Sequence, residues 1–309
     1  MARIVYLSWP AGEIAGGIKA AFQHVELLRA AGHDAVVATP DGMPPRWFAT
    51  DVPVERLEAV RRDDVLVFPE NNPSLFARFA TSAQRKLVFC QNPHYVFQGL
   101  AGRGSYADWG VSALLCPSRN VVDFAQRRFP GLRAFHTPFF VDTERFRPAA
   151  KAMQVACIPR KRTLEFGAIH DLVRAADPSL REVRWNALQG ATEEQVARVL
   201  GESAVYLSLA RLEAHSLAIL EAMASGCIVA GFVGVPGGSD SSSAANGLWA
   251  AEDDVQGCAV RVVEALRLAA EGGPKRDAMV EAARVTAARW SRKASARALM
   301  DAWAEILPG

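Results

Sequence analysis

The sequence predicts an α/β protein with two parallel sheets in tandem, each covered by helices. Short β-branched or aliphatic runs alternate with longer amphipathic runs, the alternation pauses near residue 149, and a second series of the same kind follows. The 309 residues, half of them apolar and 22% charged, suffice for two cores of ordinary size. We therefore expect domains at 1–148 and 149–290 and a C-terminal helix at 291–309 that packs back on the first domain.

The first domain opens with a βαβ unit. A strand at 4–8 leads through a glycine-bearing turn at 10–17 into a helix at 18–31, and Gly32 precedes a strand at 35–38. The same alternation then predicts strands at 65–68, 86–90 and 113–116, and helices at 73–80 and 120–129.

The second domain repeats this pattern and ends in helices. Its predicted strands are 154–158, 183–188, 205–209 and 228–232. After Asp253, apolar residues at helical spacing predict helices at 251–270, 275–290 and 294–306. These last helices carry no recognisable chemical motif.

Composition excludes several function classes. Lys plus Arg number 35 against 33 for Asp plus Glu, a net charge of +2, so we expect no nucleic-acid partner. Five widely spaced cysteines suit neither a disulfide framework nor a zinc site and indicate a reducing compartment. The N-terminus reads as a strand rather than a signal peptide, and the uncharged stretch 222–239 contains five glycines, which disfavours a membrane span. We expect a cytoplasmic protein.

Parallel sheets bind ligands at the carboxyl ends of their strands, so the segments that follow strands are the candidate sites. Gly16 and Gly17 lie between the first strand and the first helix, where a missing Cβ lets backbone approach a ligand and the helix start attracts an anion. A tight turn that needs positive φ would explain the pair equally well. With Gly12, their spacing fits neither the dinucleotide fingerprint nor a Walker loop.

Two glutamates follow the strand at 205–209. Glu213 and Glu221 are eight residues apart, which in a helix is a little over two turns and predicts both on roughly one face. Glu213 stands at the helix start, where the macrodipole stabilises a carboxylate, and Glu221 stands deeper among Ala and Leu, where it needs a polar partner. A capping Glu213 and a hydrogen-bonded core Glu221 would explain the same pattern.

The segment around these glutamates, EAHSLAILEAMASGCIVA, closely resembles the signature of retaining, nucleotide-sugar-dependent glycosyltransferases of the GT-B architecture, the large group 1 (family 4-like). Stretches elsewhere agree in order: AGGIKAAFQHVELLRAAGHDAVVAT, LLCPSRNVVDFAQRRF, TPFFVDTERFRP and RWSRKASARALMDAWAEIL. The resemblance implies two Rossmann-like domains facing across a cleft, with the acceptor on the N-terminal side and the donor on the C-terminal side.

Carried over to this sequence, the resemblance implies a role for each matching residue. Glu221 accepts hydrogen bonds from the donor ribose, and Glu213 lies beside the sugar near its anomeric carbon, where it stabilises positive charge in the transition state. The backbone of His215, Ser216 and Leu217 faces the diphosphate, and Gly16 and Gly17 match the family's glycine turn. Ala214-His215-Ser216 replaces the usual Gly-Phe-Gly, which makes this loop bulkier.

Basic and polar residues complete the predicted site. No Asp-x-Asp pair is present to hold a metal, so cations must neutralise the leaving group. The basic cluster Arg160-Lys161-Arg162 follows the strand at 154–158, where the resemblance implies an arginine and, after a short gap, a lysine on the donor phosphates. Arg160 is the first candidate and Lys161 the second, although a solvated basic turn would look the same. His94 could hold an acceptor hydroxyl or be an inert loop histidine. The 235–240 and 246–248 segments resemble the loop after the next strand.

The leading hypothesis is a metal-independent retaining glycosyltransferase that moves a sugar from a nucleoside diphosphate sugar to a glycan, lipid or small-molecule hydroxyl, with no further cofactor. A transferase-like subunit that binds nucleotide or glycan with little catalysis is the alternative, and a nicotinamide-dependent oxidoreductase ranks below both because the glycine fingerprint is missing. Any peripheral membrane contact would use the helix at 120–128, with Arg127, Arg128 and nearby Arg133.

Overall fold

A computed structural model of the chain describes residues 2–213, 215–234 and 240–307. Internal contacts divide the chain into two compact units. Unit 1 comprises Met1–Phe140 together with Arg292–Gly309, and unit 2 comprises Val141–Ser291. The chain therefore leaves unit 1 once and returns to it at its end.

The strands of the two units follow one another along the chain. They are β1 (Ile4–Leu7), β2 (Ala35–Thr39), β3 (Val54–Arg56), β4 (Val65–Pro69), β5 (Lys86–Phe89), β6 (Val111–Cys116), β7 (Arg133–His136), β8 (Ala152–Cys157), β9 (Arg184–Ala187), β10 (Ser203–Leu209), β11 (Ile228–Phe232) and β12 (Leu248–Ala250).

The helices alternate with these strands. They are α1 (Gly16–Ala30), α2 (Pro73–Arg78), α3 (Val96–Leu100), α4 (Arg119–Arg128), α5 (Thr163–Ala176), α6 (Glu193–Glu202), α7 (Leu217–Ala224), α8 (Val255–Glu271), α9 (Gly273–Ala288) and α10 (Arg292–Ile306). Local capping fixes some of their starts: Ser118 accepts from the Val121 amide at α4, and Thr192 and Gln195 form a capping box at α6. Within the described ranges, no helix is long and apolar enough to cross a membrane.

Both sheets are parallel, which confirms the predicted fold class. The sheet of unit 1 has the order β3-β2-β1-β4-β5-β6-β7, and that of unit 2 the order β12-β11-β10-β8-β9. The strands β1, β4 and β11 are continuous apolar runs, and every residue in them is buried. The strand order reverses between β1 and β4 in unit 1 and between β8 and β10 in unit 2, so each sheet has one topological switch point.

Helices cover the sheets and complete the cores. In unit 2, residues of β8, β10 and β11 such as Cys157, Leu207 and Phe232 pack with Ile169 of α5 and Val262 of α8. In unit 1, the last helix α10 supplies the buried Trp303, and Ser295 at its start donates a hydrogen bond to the Phe139 carbonyl over 2.8 Å.

The sequence predicted nine of these strands to within two residues of their ends and missed β3, β7 and β12. The three missed strands have three or four residues, lie at sheet edges and are mostly half exposed, so they show no run of buried apolar residues. Helices α3, α5 and α6 were also not predicted. In α5, Ile169 and Val173 are buried, and Phe166 and Leu172 pack against the same core.

Candidate functional site

Predicted site residues meet at the switch point of the second sheet. Arg160 and Lys161 lie in a 3₁₀ turn, Pro159–Lys161, directly after β8, and Glu213 follows the adjacent strand β10. The Lys161 Nζ lies 2.7 Å from the Glu213 Oε1, and both side chains are about one quarter exposed (23% and 24%). A cation and a carboxylate thus face each other at the edge where parallel sheets bind ligands.

The backbone that carries Glu213 is strained and closely packed. Leu212 has a φ of +48°, a left-handed conformation that costs a non-glycine residue roughly 1–3 kcal/mol. Lys161 holds this segment by donating a hydrogen bond to the Arg211 carbonyl over 3.1 Å. On the other side stands Gly234, whose φ is +80°; a Cβ there would lie 3.0 Å from the Glu213 Cβ. Glycine therefore lets the segment after β11 pack directly against Glu213.

The third basic residue of the predicted cluster has a different role from its neighbours. Arg162 is fully buried; its Nε donates to the Ala210 carbonyl over 3.1 Å, and its terminal nitrogens bind Glu165, Glu252 and Asp253. The guanidinium also lies 4.3 Å from the centre of the Phe232 ring. Arg162 thus links the end of β10 to residues 252–253, whereas Arg160 is exposed and Lys161 faces Glu213.

Helix α7 brings the remaining predicted donor-site residues to the same edge. Ser216 is its N-cap and does not cap it with its side chain, and Leu217 is its first residue. Glu221 lies one turn further on and is 6% exposed. Glu213 precedes α7 by four residues, so the two glutamates do not share a helix face. Of the three-residue replacement at this loop, Ala214 lies outside the described residues.

The ring of His215 points into unit 2 and packs on an aromatic partner. It is 8% exposed and stacks on Trp290 with ring centroids 4.6 Å apart and planes at 28°. Any contact of His215 with a ligand at the α7 start would therefore involve its backbone, as the resemblance implies. The loop at 235–239 also lies outside the described residues.

The glycine turn of unit 1 is not explained by positive φ, because neither Gly16 nor Gly17 adopts it. Gly17 packs closely on a side chain: a Cβ there would lie 3.0 Å from the Gln91 Oε1, and the Gln91 amide donates to the Gly17 carbonyl over 3.2 Å. At Gly16 a Cβ would meet no atom within 4 Å. Of the two glycines, Gly16 thus has open space beside it.

A buried carboxyl group, Glu70, lies at the same edge of unit 1 and was missed in the sequence. It follows β4 directly and is 4% exposed; burial raises its pKa to about 7, against the lowering effect of hydrogen bonds from the backbone of Gln91 and Asn92. Across the switch point, the Trp9 indole donates to the Asn71 side chain over 3.2 Å. The position of Glu70 at a strand end was the available signal.

His94 lies in the same loop cluster as Glu70's partners. It is half-buried in the 3₁₀ turn Pro93–Tyr95, and its amide donates to the Asn92 Oδ1 over 3.0 Å. The structure thus places His94 near the strand ends of unit 1, and its role on the acceptor side stays a prediction.

The arrangement in unit 2 can hold an anion beside a group rich in hydroxyls. Lysine and the amides of a helix start suit phosphate oxygens, and carboxylates accept hydrogen bonds from hydroxyls. In the described part of the chain, no group of three or more His, Cys, Asp or Glu residues is placed to hold a metal ion.

The fold defines the class to which the chain is similar. A sucrose-phosphate synthase from Thermosynechococcus elongatus has a TM-score of 0.72 at 14% identity, covering 99% of both chains. Anabaena HepE in complex with UDP-glucose has a TM-score of 0.69 at 12% identity, covering 99% of this chain and all of HepE (100%). At these identities the likeness concerns the fold, which is that of GT-B glycosyltransferases with two Rossmann-like domains.

A sequence relative agrees with this class. A curated alpha-1,6-glucosyltransferase from Actinobacillus pleuropneumoniae serotype 7 (strain AP76) is 30% identical over 178 residues, 55% of this chain and 53% of the relative. The chain thus spans about half the length of this relative. No family model matches the sequence. The resemblance to GT-B glycosyltransferases is confirmed.

Proposed function

We propose that this chain is a retaining glycosyltransferase that moves a hexose from a nucleoside diphosphate sugar to a hydroxyl acceptor without a metal ion. The observation that carries the proposal is the Lys161–Glu213 ion pair at the switch point of the second sheet, beside the start of α7. The two charges match the two parts of such a donor: a diphosphate that needs a cation and a sugar that needs a hydrogen-bond acceptor.

Each residue of the site has a proposed task. The ribose hydroxyls donate to the Glu221 carboxylate; Lys161, Arg160 and the first amides of α7 neutralise the diphosphate; and Glu213 holds the sugar near its anomeric carbon. In unit 1, Gly16, Gly17 and His94 belong to the acceptor-side domain. We keep the domain division 1–148, 149–290 and 291–309 as part of this proposal.

The reaction exchanges one glycosidic bond for another on the same face of the sugar. The bond from the anomeric carbon to the diphosphate oxygen breaks, and a bond from that carbon to the acceptor oxygen forms. The acceptor proton passes to the departing phosphate oxygen, so the products are a glycoside and a nucleoside diphosphate. Glu213 stabilises the positive charge that develops on the sugar between these events.

UDP-glucose is the first donor to test, because HepE was solved with it and the curated relative is named a glucosyltransferase. The acceptor belongs to the class of glycan, lipid-linked or small-molecule hydroxyls. We propose no cofactor besides the donor and no nucleic-acid partner, and we place the protein in the cytoplasm or at the inner face of the membrane.

The test is a thermal-unfolding panel with UDP, GDP, ADP, dTDP, CDP and NAD. A nucleotide at a hundred times its dissociation constant stabilises the protein by about 2.7 kcal/mol. We expect one diphosphate to stabilise the wild type and Glu221→Gln to bind it about 10- to 100-fold more weakly, because hydrogen bonds to a charged group contribute roughly 1.5–3 kcal/mol each. Glu264→Gln, a partly exposed acid on α8, is the matched control and should respond like the wild type.

Two results would contradict the proposal. If no diphosphate stabilises the wild type, or if Glu221→Gln binds as tightly as Glu264→Gln, the donor site is not where we place it. Tight nucleotide binding with no hydrolysis of any glucose donor would instead support a transferase-like binding subunit.

A further inference from the structure

The end of helix α9 contacts the loop that carries Glu213. Trp290 follows this helix by two residues and stacks on His215, which stands between Glu213 and α7. Both rings are 8% exposed, so the stack is closed to solvent. A planar contact between two buried rings fixes the position of both partners more narrowly than aliphatic packing does.

The same end of α9 also holds the segment between β11 and β12. The Asn246 Nδ2 donates to the Thr286 Oγ1 over 3.0 Å and to the Ser241 carbonyl over 3.0 Å. The Asn246 Oδ1 accepts from the Ser243 amide over 2.9 Å. Asn246 is 3% exposed and Thr286 is 6% exposed, so these hydrogen bonds are buried. The Asn246 side chain therefore joins Ser241 and Ser243 to α9.

A glycine after β11 packs against Glu213 from another side. Gly234 is close enough that an added Cβ would lie 3.0 Å from the Glu213 Cβ and 3.1 Å from that of Ala210. The loop after β10 is thus contacted by Trp290 at His215 and by Gly234 at Glu213. The end of α9 therefore supports this loop through Trp290, and it supports residues 241–246 through Thr286.

We propose that Trp290 and Thr286 are positioning residues for the donor: Trp290 sets the place of the loop between Glu213 and α7, Thr286 sets that of residues 241–246 after β11, and neither touches the substrate. This inference rests on the proposed function. Since a catalytic group displaced by about 1 Å can lose two orders of magnitude in rate, the support must be rigid. Helix α9 then has a second role besides covering the sheet, which is to hold the donor site in place.

The test compares two tryptophans of unit 2. Trp185 on β9 also packs against a histidine, with its ring centroid 4.9 Å from that of His170, and it lies outside both the loop after β10 and residues 241–246. We would prepare Trp290→Leu, Trp290→Phe, Thr286→Val and the control Trp185→Leu in the full chain. Each variant is measured for its melting temperature, for its affinity for UDP, GDP, ADP, dTDP and CDP by calorimetry, and for its hydrolysis of the matching glucose donors.

We expect Trp290→Leu to bind the preferred diphosphate about tenfold more weakly and to hydrolyse its donor at least tenfold more slowly. Trp290→Phe, which keeps a ring for the stack, should recover most of both losses. Thr286→Val should raise the donor KM several-fold. Trp185→Leu should keep the affinity and rate of the wild type even if its melting temperature falls as far as that of Trp290→Leu.

Different results overturn the two proposals. If Trp290→Leu and Thr286→Val lose only melting temperature, as the control does, then α9 is structural support alone and the inference fails. If Trp290→Leu does not fold, the other two variants decide. The inference then fails if Trp290→Phe and Thr286→Val both show wild-type affinity and KM. If the wild type itself neither binds a diphosphate nor hydrolyses a donor, the proposed function fails before any variant is compared.

Discussion

Lys161 and Glu213 neutralise each other across a contact of 2.7 Å. They are fifty-two positions apart in the sequence and meet only because the strands before them are neighbours in the sheet. The sequence predicted both residues as donor-site groups, and it could not predict their contact, since strand order is a tertiary property. Under the proposed function, a donor diphosphate competes with Glu213 for Lys161.

This competition predicts an unusual effect of Glu213→Gln. The variant should bind UDP as tightly as the wild type or up to about fivefold more tightly, because a partly exposed ion pair contributes roughly 0.2–1 kcal/mol that the donor no longer has to replace. Turnover should be lost, because an amide stabilises positive charge poorly. Calorimetric titration and a donor-hydrolysis assay measure the two effects.

Asp177→Asn, which breaks the exposed Arg267–Asp177 pair instead, is the control and should change neither quantity. Weaker UDP binding by Glu213→Gln, or unimpaired turnover, would contradict the roles given to this pair.

The burial of two other residues, Arg162 and Glu70, could not be predicted from the sequence. Arg160, Lys161 and Arg162 look alike in the sequence, yet Arg162 is buried and paired with Glu252 and Asp253. These partners lie about ninety positions further on, so the sequence around Arg162 does not reveal them. Glu70 stands directly after a buried strand, but its burial is a tertiary property that the sequence does not show. Tyr106, thirty-six positions further on, donates its hydroxyl to the backbone carbonyl of Glu70 over 2.5 Å.

At the level of helices and strands, the interior strands were predictable, and of the four edge strands only β9 was predicted. The fully buried strands β1, β4 and β11 are short apolar runs bounded by turn residues, which is the strand signal. The edge strand β12 is half exposed, so only its pairing with β11 defines it. Helix α6 had a readable start in its Thr192–Gln195 capping box, a signal that the apolar periodicity alone does not include.

The start of helix α1 offers a prediction that separates function from stability. Gly16→Ala should leave the free energy of unfolding unchanged or raise it by up to about 1 kcal/mol, because its Cβ meets no atom and alanine favours a helix. Glycosyl transfer should fall if Gly16 lies against a ligand, as the resemblance implies. Urea denaturation and a transfer assay give the two values.

Gly131→Ala is the matched control, since its Cβ would also meet no atom within 4 Å and it lies outside the candidate site. Equal activity of the two variants would remove Gly16 from the site, and a marked loss of stability in Gly16→Ala would show a structural need for the glycine.

For the molecule as a whole, two buried groups of unit 1 give opposite dependences of stability on pH. Burial lowers the pKa of His24 to about 4, so the unfolded chain alone takes up that proton below pH 6.5 and stability falls as the pH falls toward 4. Burial raises the pKa of Glu70 to about 7, so the unfolded chain alone loses that proton above pH 4.5 and stability falls as the pH rises toward 7. Between pH 4.5 and 6.5 the two effects offset each other.

Glu70→Gln should expose this compensation. The free energy of unfolding of the wild type minus that of the variant should fall by about 3 kcal/mol between pH 4.5 and 7. In this range the unfolded chain releases a proton that the folded protein keeps, which lowers the stability of the wild type by about 1.4 kcal/mol for each pH unit. Urea denaturation at half-unit intervals of pH measures this difference. Glu281→Gln, an exposed acid on α9, should give a difference that does not vary with pH. A flat difference for Glu70→Gln would show that its carboxyl group ionises normally in the folded protein.

The discontinuity of unit 1 has a consequence for the order in which the protein forms during synthesis. Its first 140 residues leave the ribosome long before α10, which buries Trp303 and completes their core. At about 5–20 residues per second, the roughly 150 residues of unit 2 take about 8 to 30 s to translate. Throughout that interval the nascent first unit exposes the apolar surface that α10 later covers, whereas unit 2 has all of its residues as soon as Ser291 is made. The half made first is therefore the half finished last, and chaperones have their longest access to the N-terminal part of the newborn chain.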